Sequence, residues 1–178
     1  MFQKLDNIKA SIGIGRYREN RICYQSDQYK VVNEARSQHL GIDLFAKAGT
    51  KIFAPMNGII HSFNNNDQSL DYGPTIILEH RPQFNIHFYT LYGHMSYESL
   101  EDLYIGKKIQ KNSLIGKIGN FSINGGWIPH LHFQIIFDLL DQTGNYFGVV
   151  QPSQWNIWTS ICPNPNLILQ IPENIIAI

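Results

Sequence analysis

The sequence predicts an all-β fold, and three observations lead there. From Leu40 onward, short segments rich in Ile, Phe, Tyr and Val are punctuated by Gly, Pro, Asn and Asp, the pattern of strands joined by turns. Several of these segments alternate with the period of two that suits a half-buried strand, such as Ile86, Phe88, Thr90 and Tyr92. No stretch sustains the spacing of a long helix. With 178 residues, 43% hydrophobic and only 16% charged, the chain has the length of one domain and enough apolar surface to fill its core.

Three parts follow in order. Residues 1–38 form a lead-in segment whose stretch GRYRENRICY has the apolar content to pack on a core, with one strand expected near Ile22–Tyr24. Residues 39–150 form the β domain, with strands expected at Leu40–Phe45, Lys51–Phe53, Gly58–Phe63, Thr75–Glu79, Ile86–Tyr92, Lys108–Ile109, Leu114–Ile118 and Leu131–Phe137. Pro55-Met56-Asn57-Gly58 reads as a hairpin turn, since Asn-Gly tolerates positive φ. Ser96–Leu103 has helix-like spacing behind a serine suited to capping. Two polar connections, Asn64–Pro74 and Asn120–Pro129, exceed what a hairpin needs. Residues 151–178 carry Trp155, Trp158 and four of the eight prolines, which predicts an extended strap that packs aromatics on the domain.

Composition narrows the partners. Fourteen basic and fourteen acidic residues cancel, so no overall field favours nucleic acid or an anionic membrane. No run approaches the ~18 apolar residues of a spanning helix, and Lys4, Asp6 and Lys9 interrupt the start. The expected address is therefore the cytoplasm, or the periplasm or exterior if a leader has been trimmed away. Cys23 and Cys162 form no CxxC pair; two buried thiols are the simpler expectation, and a bridge between them stays open.

Chemistry concentrates in three short motifs. In His39-Leu40-Gly41-Ile42-Asp43, an extended backbone puts the imidazole, the glycine and the carboxylate on one face, and Gly41 leaves room beneath whatever the other two hold. In His130-Leu131-His132, two imidazoles share a face while Leu131 and Phe133 turn to the core. His94, in Tyr92-Gly93-His94-Met95, ends an alternating run and shares the parity of Tyr92 unless Gly93 breaks the strand. Each motif alone is as well explained by ordinary polar packing. Together they supply four imidazoles and a carboxylate, donors that suit zinc, and a catalytic zinc takes three protein ligands and keeps a position for water. Two histidines then remain for acid-base work. Trp127 and Tyr92 flank the motifs and either line a groove or pack beneath a loop. His61, His80 and His87 lack partners in the pattern and are expected at the surface or an edge.

The ordered set HLGID, YGHM and GGWIPHLHF resembles the lysostaphin-type zinc metallopeptidases, the LytM-like group with a duplicated hybrid motif. The resemblance runs from Gln38 to Ile136 and includes APMNGII and GKKIQKNSLIGKIG. It implies a mainly antiparallel β-sandwich or barrel with long loops around a groove. It also implies zinc bound by His39, Asp43 and His132, catalytic help from His130 and His94, and hydrolysis of peptide bridges of bacterial cell walls, hence a peptide or peptidoglycan-derived substrate. More narrowly, GRYRENRICY and WNIWTSICPNPNLIL resemble the flanks of a peptidase-like module found between a phosphotransferase region and a class III aminotransferase in long fused proteins. That implies association with other enzyme domains.

With two neutral imidazoles and one carboxylate, a zinc site keeps a residual positive charge that can bring the pKa of a water molecule down to about 7. His130 is then placed to take the proton and His94 to donate to the oxyanion or leaving amine, although sequence does not decide which ring does which. Two other readings stand beside this one. The first is a non-catalytic zinc-containing module that binds a peptide or glycan, or an accessory domain of a larger cytoplasmic enzyme. The second is a phosphocarrier, against which Asp43 argues because a carboxylate repels phosphate. Asn33, Glu34 and Arg36, just before His39, raise the further expectation that the lead-in reaches the fourth zinc position.

Overall fold

The computed structural model describes residues 1–7, 11–21, 30–31 and 34–176. Its centre is a seven-stranded antiparallel sheet formed by β1 (Gly13–Gly15), β5 (Ile42–Phe45), β12 (His130–Ile136), β9 (Ile86–Gly93), β8 (Gly73–Gln83), β7 (Gly58–Asn66) and β10 (Lys108–Ile109), in that spatial order. Three two-stranded pairs accompany it: β6 (Lys51–Phe53) with β11 (Leu114–Lys117), β4 (Gln38–His39) with β13 (Val149–Val150), and β2 (Lys30–Val31) with β3 (Glu34–Ala35). The strand expected at Ile22–Tyr24 falls outside the described residues.

Alternation along the central strands divides the core in two. Ile76, Leu78, Tyr92, Leu131, Phe133 and Ile135 bury themselves in one cluster with Ala54, Ile115 and Ile118. Leu40, Ile77, Leu91 and Ile136 belong to the other, which Tyr146, Phe147, Trp155, Trp158 and Cys162 cover. Each buried Leu, Ile or Phe contributes about 1.5–3 kcal/mol on leaving water, so both faces of the sheet are firmly held. His130, His132 and Gln134 alternate with the first cluster's residues and therefore stand on the second face, at one end of its apolar layer.

Four expectations require correction. Pro55–Gly58 is not a hairpin turn, because β6 pairs with β11 while β7 pairs with β8 and β10; the tetrad carries the chain from one sheet to another. The Asn64–Pro74 connection is shorter than it reads, since β7 runs to Asn66 and β8 begins at Gly73. The helix-like Ser96–Leu103 stretch narrows to a 3₁₀ turn over Tyr97–Leu100, and the Ser96 side chain makes no cap bond. The strap is not extended: whereas α1 (Phe2–Asn7) opens the chain, the strap folds into α2 (Trp155–Ile161), α3 (Asn166–Leu169) and α4 (Glu173–Ile176). Trp155, Trp158 and Cys162 recur at helical spacing, and the Cys162 N–H donates to the Trp158 carbonyl at the end of α2. No helix among the described residues is long and apolar enough to cross a membrane.

Candidate metal centre

Strand register builds the site. β5 and β12 are neighbours, and their pairing sets Asp43 directly opposite His132. β4 ends at His39, whose N–H donates to the Glu19 carbonyl and whose carbonyl accepts from the Arg18 N–H, so the ring is delivered from a backbone tied on both sides. The three side chains are buried and converge: His39 Nε2 is 3.2 Å from Asp43 Oδ1, His132 Nδ1 is 3.0 Å from that same oxygen, and the two nitrogens are 3.1 Å apart. Gly41 makes this convergence possible, because a Cβ there would lie 2.5 Å from His132 Cε1 and 2.9 Å from the Phe133 carbonyl oxygen.

The remaining nitrogens of the two rings decide what faces the centre. His39 Nδ1–H donates to the Arg16 carbonyl at 2.9 Å, which leaves Nε2 with a lone pair. Gln134 Nε2 donates to the Phe147 carbonyl and the Cys162 sulfur, so its Oε1 is free to accept from His132 Nε2–H at 2.9 Å. Nδ1 of His132 is thereby left as an acceptor. Two imidazole lone pairs and a carboxylate oxygen thus point at one another with no donor among them, an arrangement that only a cation or an added proton satisfies. Ligands at ~2.0–2.1 Å in a tetrahedron stand about 3.3 Å apart, close to the three separations here, so the donor set fits zinc.

His130 and His94 border this centre. His130 Nδ1–H donates to the Ile128 carbonyl at 2.6 Å, and its Nε2 lies 3.7 Å from Asp43 Oδ2. His94 does not follow the parity of Tyr92. β9 stops at Gly93, and His94 takes a left-handed backbone with φ 62°, which turns its ring across to Tyr72, His130 and His132. Its Nδ1–H donates to the Asn124 carbonyl at 3.0 Å, and the His94 and His130 ring centres are 4.2 Å apart. A cleft of about 290 Å³ opens on these rings, lined among others by Tyr72, Trp127, Tyr146 and Phe147.

Other expected residues lie elsewhere. Tyr92 is in the core on the opposite face and accepts a hydrogen bond from Thr90, so Trp127 alone of the two flanking aromatics reaches the cleft. His80 is not at a surface or edge: it is fully buried, bonded to the Asn57 carbonyl and the Thr90 hydroxyl. Glu34 is turned to Ser153, accepting from its N–H and hydroxyl, and does not reach the centre; Asn33 is outside the described residues. Cys162 is a buried free thiol. Arg16, Arg21, Tyr72 and Gln134 support the centre without having been anticipated. Gln134 had a signal, standing third on the face that His130 and His132 begin; the others reach the site from distant segments.

Electrostatics separate the groups. Burial alone would raise the Asp43 carboxyl, but the surrounding His39, His130 and His132 rings outweigh it and hold the group well below the carboxylate range. Burial lowers His39 and His130, with Asp43 pulling the other way, and burial reinforced by His130 and His132 holds His94 well below 6.5. These rings take up protons near 6.5 once the chain unfolds but resist them in the fold, so the unfolded chain binds more protons below that pH. Metal-free protein is therefore expected to keep its full stability above about pH 6.5 and to lose it progressively below, as thermal melts at stepped pH in the presence of chelator would show.

The fold and the donor set together define a lysostaphin-type β domain. The sequence profile described as peptidase family M23 matches residues 37–144, and the chain belongs to that family. The catalytic domain of the antimicrobial peptidase lysostaphin from Staphylococcus simulans superposes with a TM-score of 0.52 at 19% identity, covering 87% of this chain and 96% of that one. The catalytic domain of the prophage-encoded M23 protein EnpA from Enterococcus faecalis gives 0.49 at 20% identity, covering 79% and 89%. No curated protein sequence matches the chain.

Proposed function

We infer that the protein is a zinc-dependent endopeptidase that hydrolyses a peptide bond in peptidoglycan-type peptides. The observation that carries this reading is the convergence of His39 Nε2, Asp43 Oδ1 and His132 Nδ1 with every outer nitrogen already committed as a donor. Membership of a peptidase family supplies the reaction class. These three residues would hold the ion, which when bound supplies Lewis acidity to polarise the scissile carbonyl and acidify a water molecule.

The protein's own groups account for the proton. His130 presents an unprotonated Nε2, and Asp43 Oδ2 at 3.7 Å stabilises the imidazolium formed when that nitrogen takes a proton from the attacking water. The same proton passes to the departing amide nitrogen as the C–N bond breaks. His94, held neutral, offers Nε2 as an acceptor for an N–H of the bound peptide and so fixes the amide in the cleft. Trp127, held by its indole N–H on the Asp71 carbonyl, and Tyr146 give that cleft aromatic walls for an extended chain.

The deciding experiment combines metal analysis with cleavage of defined peptidoglycan fragments followed by mass spectrometry. About one zinc per chain and new peptide termini that disappear with chelator are expected. A filled site with no cleavage of these fragments or of a broad peptide library would instead establish a binding module.

A further inference from the structure

We propose that Arg21, in the segment preceding the β domain, is a positioning residue of the metal centre that holds the outer oxygen of Asp43, so that Asp43 offers a single oxygen to the ion. The inference rests on the metal reading above. Arg21 Nη1 lies 2.9 Å from Asp43 Oδ2, whereas Oδ1 is the oxygen facing His39 Nε2 and His132 Nδ1. The carboxylate is thus divided between two tasks. Nη2 of the same guanidinium lies 3.4 Å from Glu19 Oε2 and packs 3.0 Å from His39 Nδ1, whose proton goes to the Arg16 carbonyl, so the guanidinium fork lies along the outer atoms of two of the three ligand residues without bonding the ring.

The surroundings are shaped for that fork. The Arg21 N–H donates to the Ser37 carbonyl, and Arg18 and Glu19 bond to the backbone of His39, so Arg21 is carried by a short ladder against the strand that delivers a ligand. Gly15 of β1 stands opposite Asp43 in register, and a Cβ there would lie 2.5 Å from Arg21 Nη2 and 3.1 Å from Asp43 Cβ. A glycine here leaves the passage through which the guanidinium reaches the carboxylate. The Arg21 side chain is only 15% exposed, so the pair is shielded from solvent competition.

Two effects of this cation oppose each other. Its charge repels a second cation nearby, while its geometry prevents the carboxylate from swinging to offer both oxygens, which would add a fifth ligand beside the water that a hydrolytic site keeps. Positioning is taken to prevail, because outer-shell partners of metal ligands commonly govern affinity by about 10- to 100-fold. Lysine would retain the charge without the fork.

The test uses cobalt(II) as a spectroscopic probe on metal-stripped protein of residues 1–178, with zinc affinity measured by competition against a chromophoric chelator. Wild-type protein is expected to give the intense visible bands of a four-coordinate site. In Arg21→Met those bands should weaken severalfold, as five-coordination through both carboxylate oxygens requires, and zinc affinity should fall about 10- to 100-fold. Arg21→Lys should resemble Arg21→Met more than wild type, and Gly15→Ala, which displaces the guanidinium without removing it, should shift the spectrum the same way. If Arg21→Met fails to fold by circular dichroism, these last two variants carry the comparison. An unchanged cobalt spectrum in the variants would overturn the inference, as would unchanged or tighter zinc binding, the mark of a merely repelling charge. Wild-type protein that takes up neither metal would overturn the metal reading itself.

Discussion

Replacing Asp43 by alanine is expected to remove stoichiometric zinc binding and all peptide hydrolysis. The carboxylate is the one anionic donor in the triad, it touches both imidazoles through Oδ1, and it neutralises Arg21 through Oδ2. Loss of affinity should exceed the about 100-fold attached to losing an outer-shell partner, since a ligand itself is gone. The metal-free variant should also be less stable than metal-free wild type by about 3 kcal/mol, because a largely buried guanidinium loses its closest counter-charge. Metal analysis after dialysis and thermal melts in chelator check the two halves separately. Full zinc occupancy in Asp43→Ala would show that the ion binds elsewhere.

His130→Ala is expected to behave in the opposite manner, keeping the metal and losing turnover. His130 Nε2 does not join the close triad, and its nearest approach to the carboxylate is 3.7 Å. Its loss removes the group proposed to take the water's proton, an effect of about 100- to 10,000-fold on kcat. Zinc stoichiometry and affinity should stay within severalfold of wild type. The pair of variants therefore separates holding from chemistry: one loses both, the other only the second. A His130→Ala protein with undiminished turnover would move the proton-accepting role to another group.

The legible part of this site was the part written in strand periodicity. Residues at i and i+2 of a strand share a face, so His130 with His132 could be paired from spacing alone; the continuous strand expected through His39 and Asp43 is instead broken by a bend at Gly41, which passes the chain from β4 to β5 and turns the two side chains together. Gln134 continues the same parity, but an amide by itself suggests no chemistry. His94 shows the limit of the rule, since a left-handed residue after Gly93 reverses the direction that parity predicts. Arg16 and Arg21 carry no local signal at all; their role comes from a ladder between the lead-in and the backbone around His39, which no short window of sequence contains. The tail misled for a related reason. Its prolines suggested extension, yet Pro152 opens a 3₁₀ turn and Pro165 stands at the start of α3, positions where proline starts helical turns instead of preventing them.

The two ends of the described chain meet behind the site: the Tyr17 hydroxyl donates to the Cys162 carbonyl at 2.7 Å, across 145 positions of sequence. Arg16 beside it steadies one imidazole, and the Cys162 sulfur, through Gln134, steadies another. The tail is thus wired to the ligand set through a single amide: Gln134 gives its oxygen to the His132 ring and its nitrogen to Phe147 and Cys162, so a disturbance at the tail's first helix is felt at an imidazole.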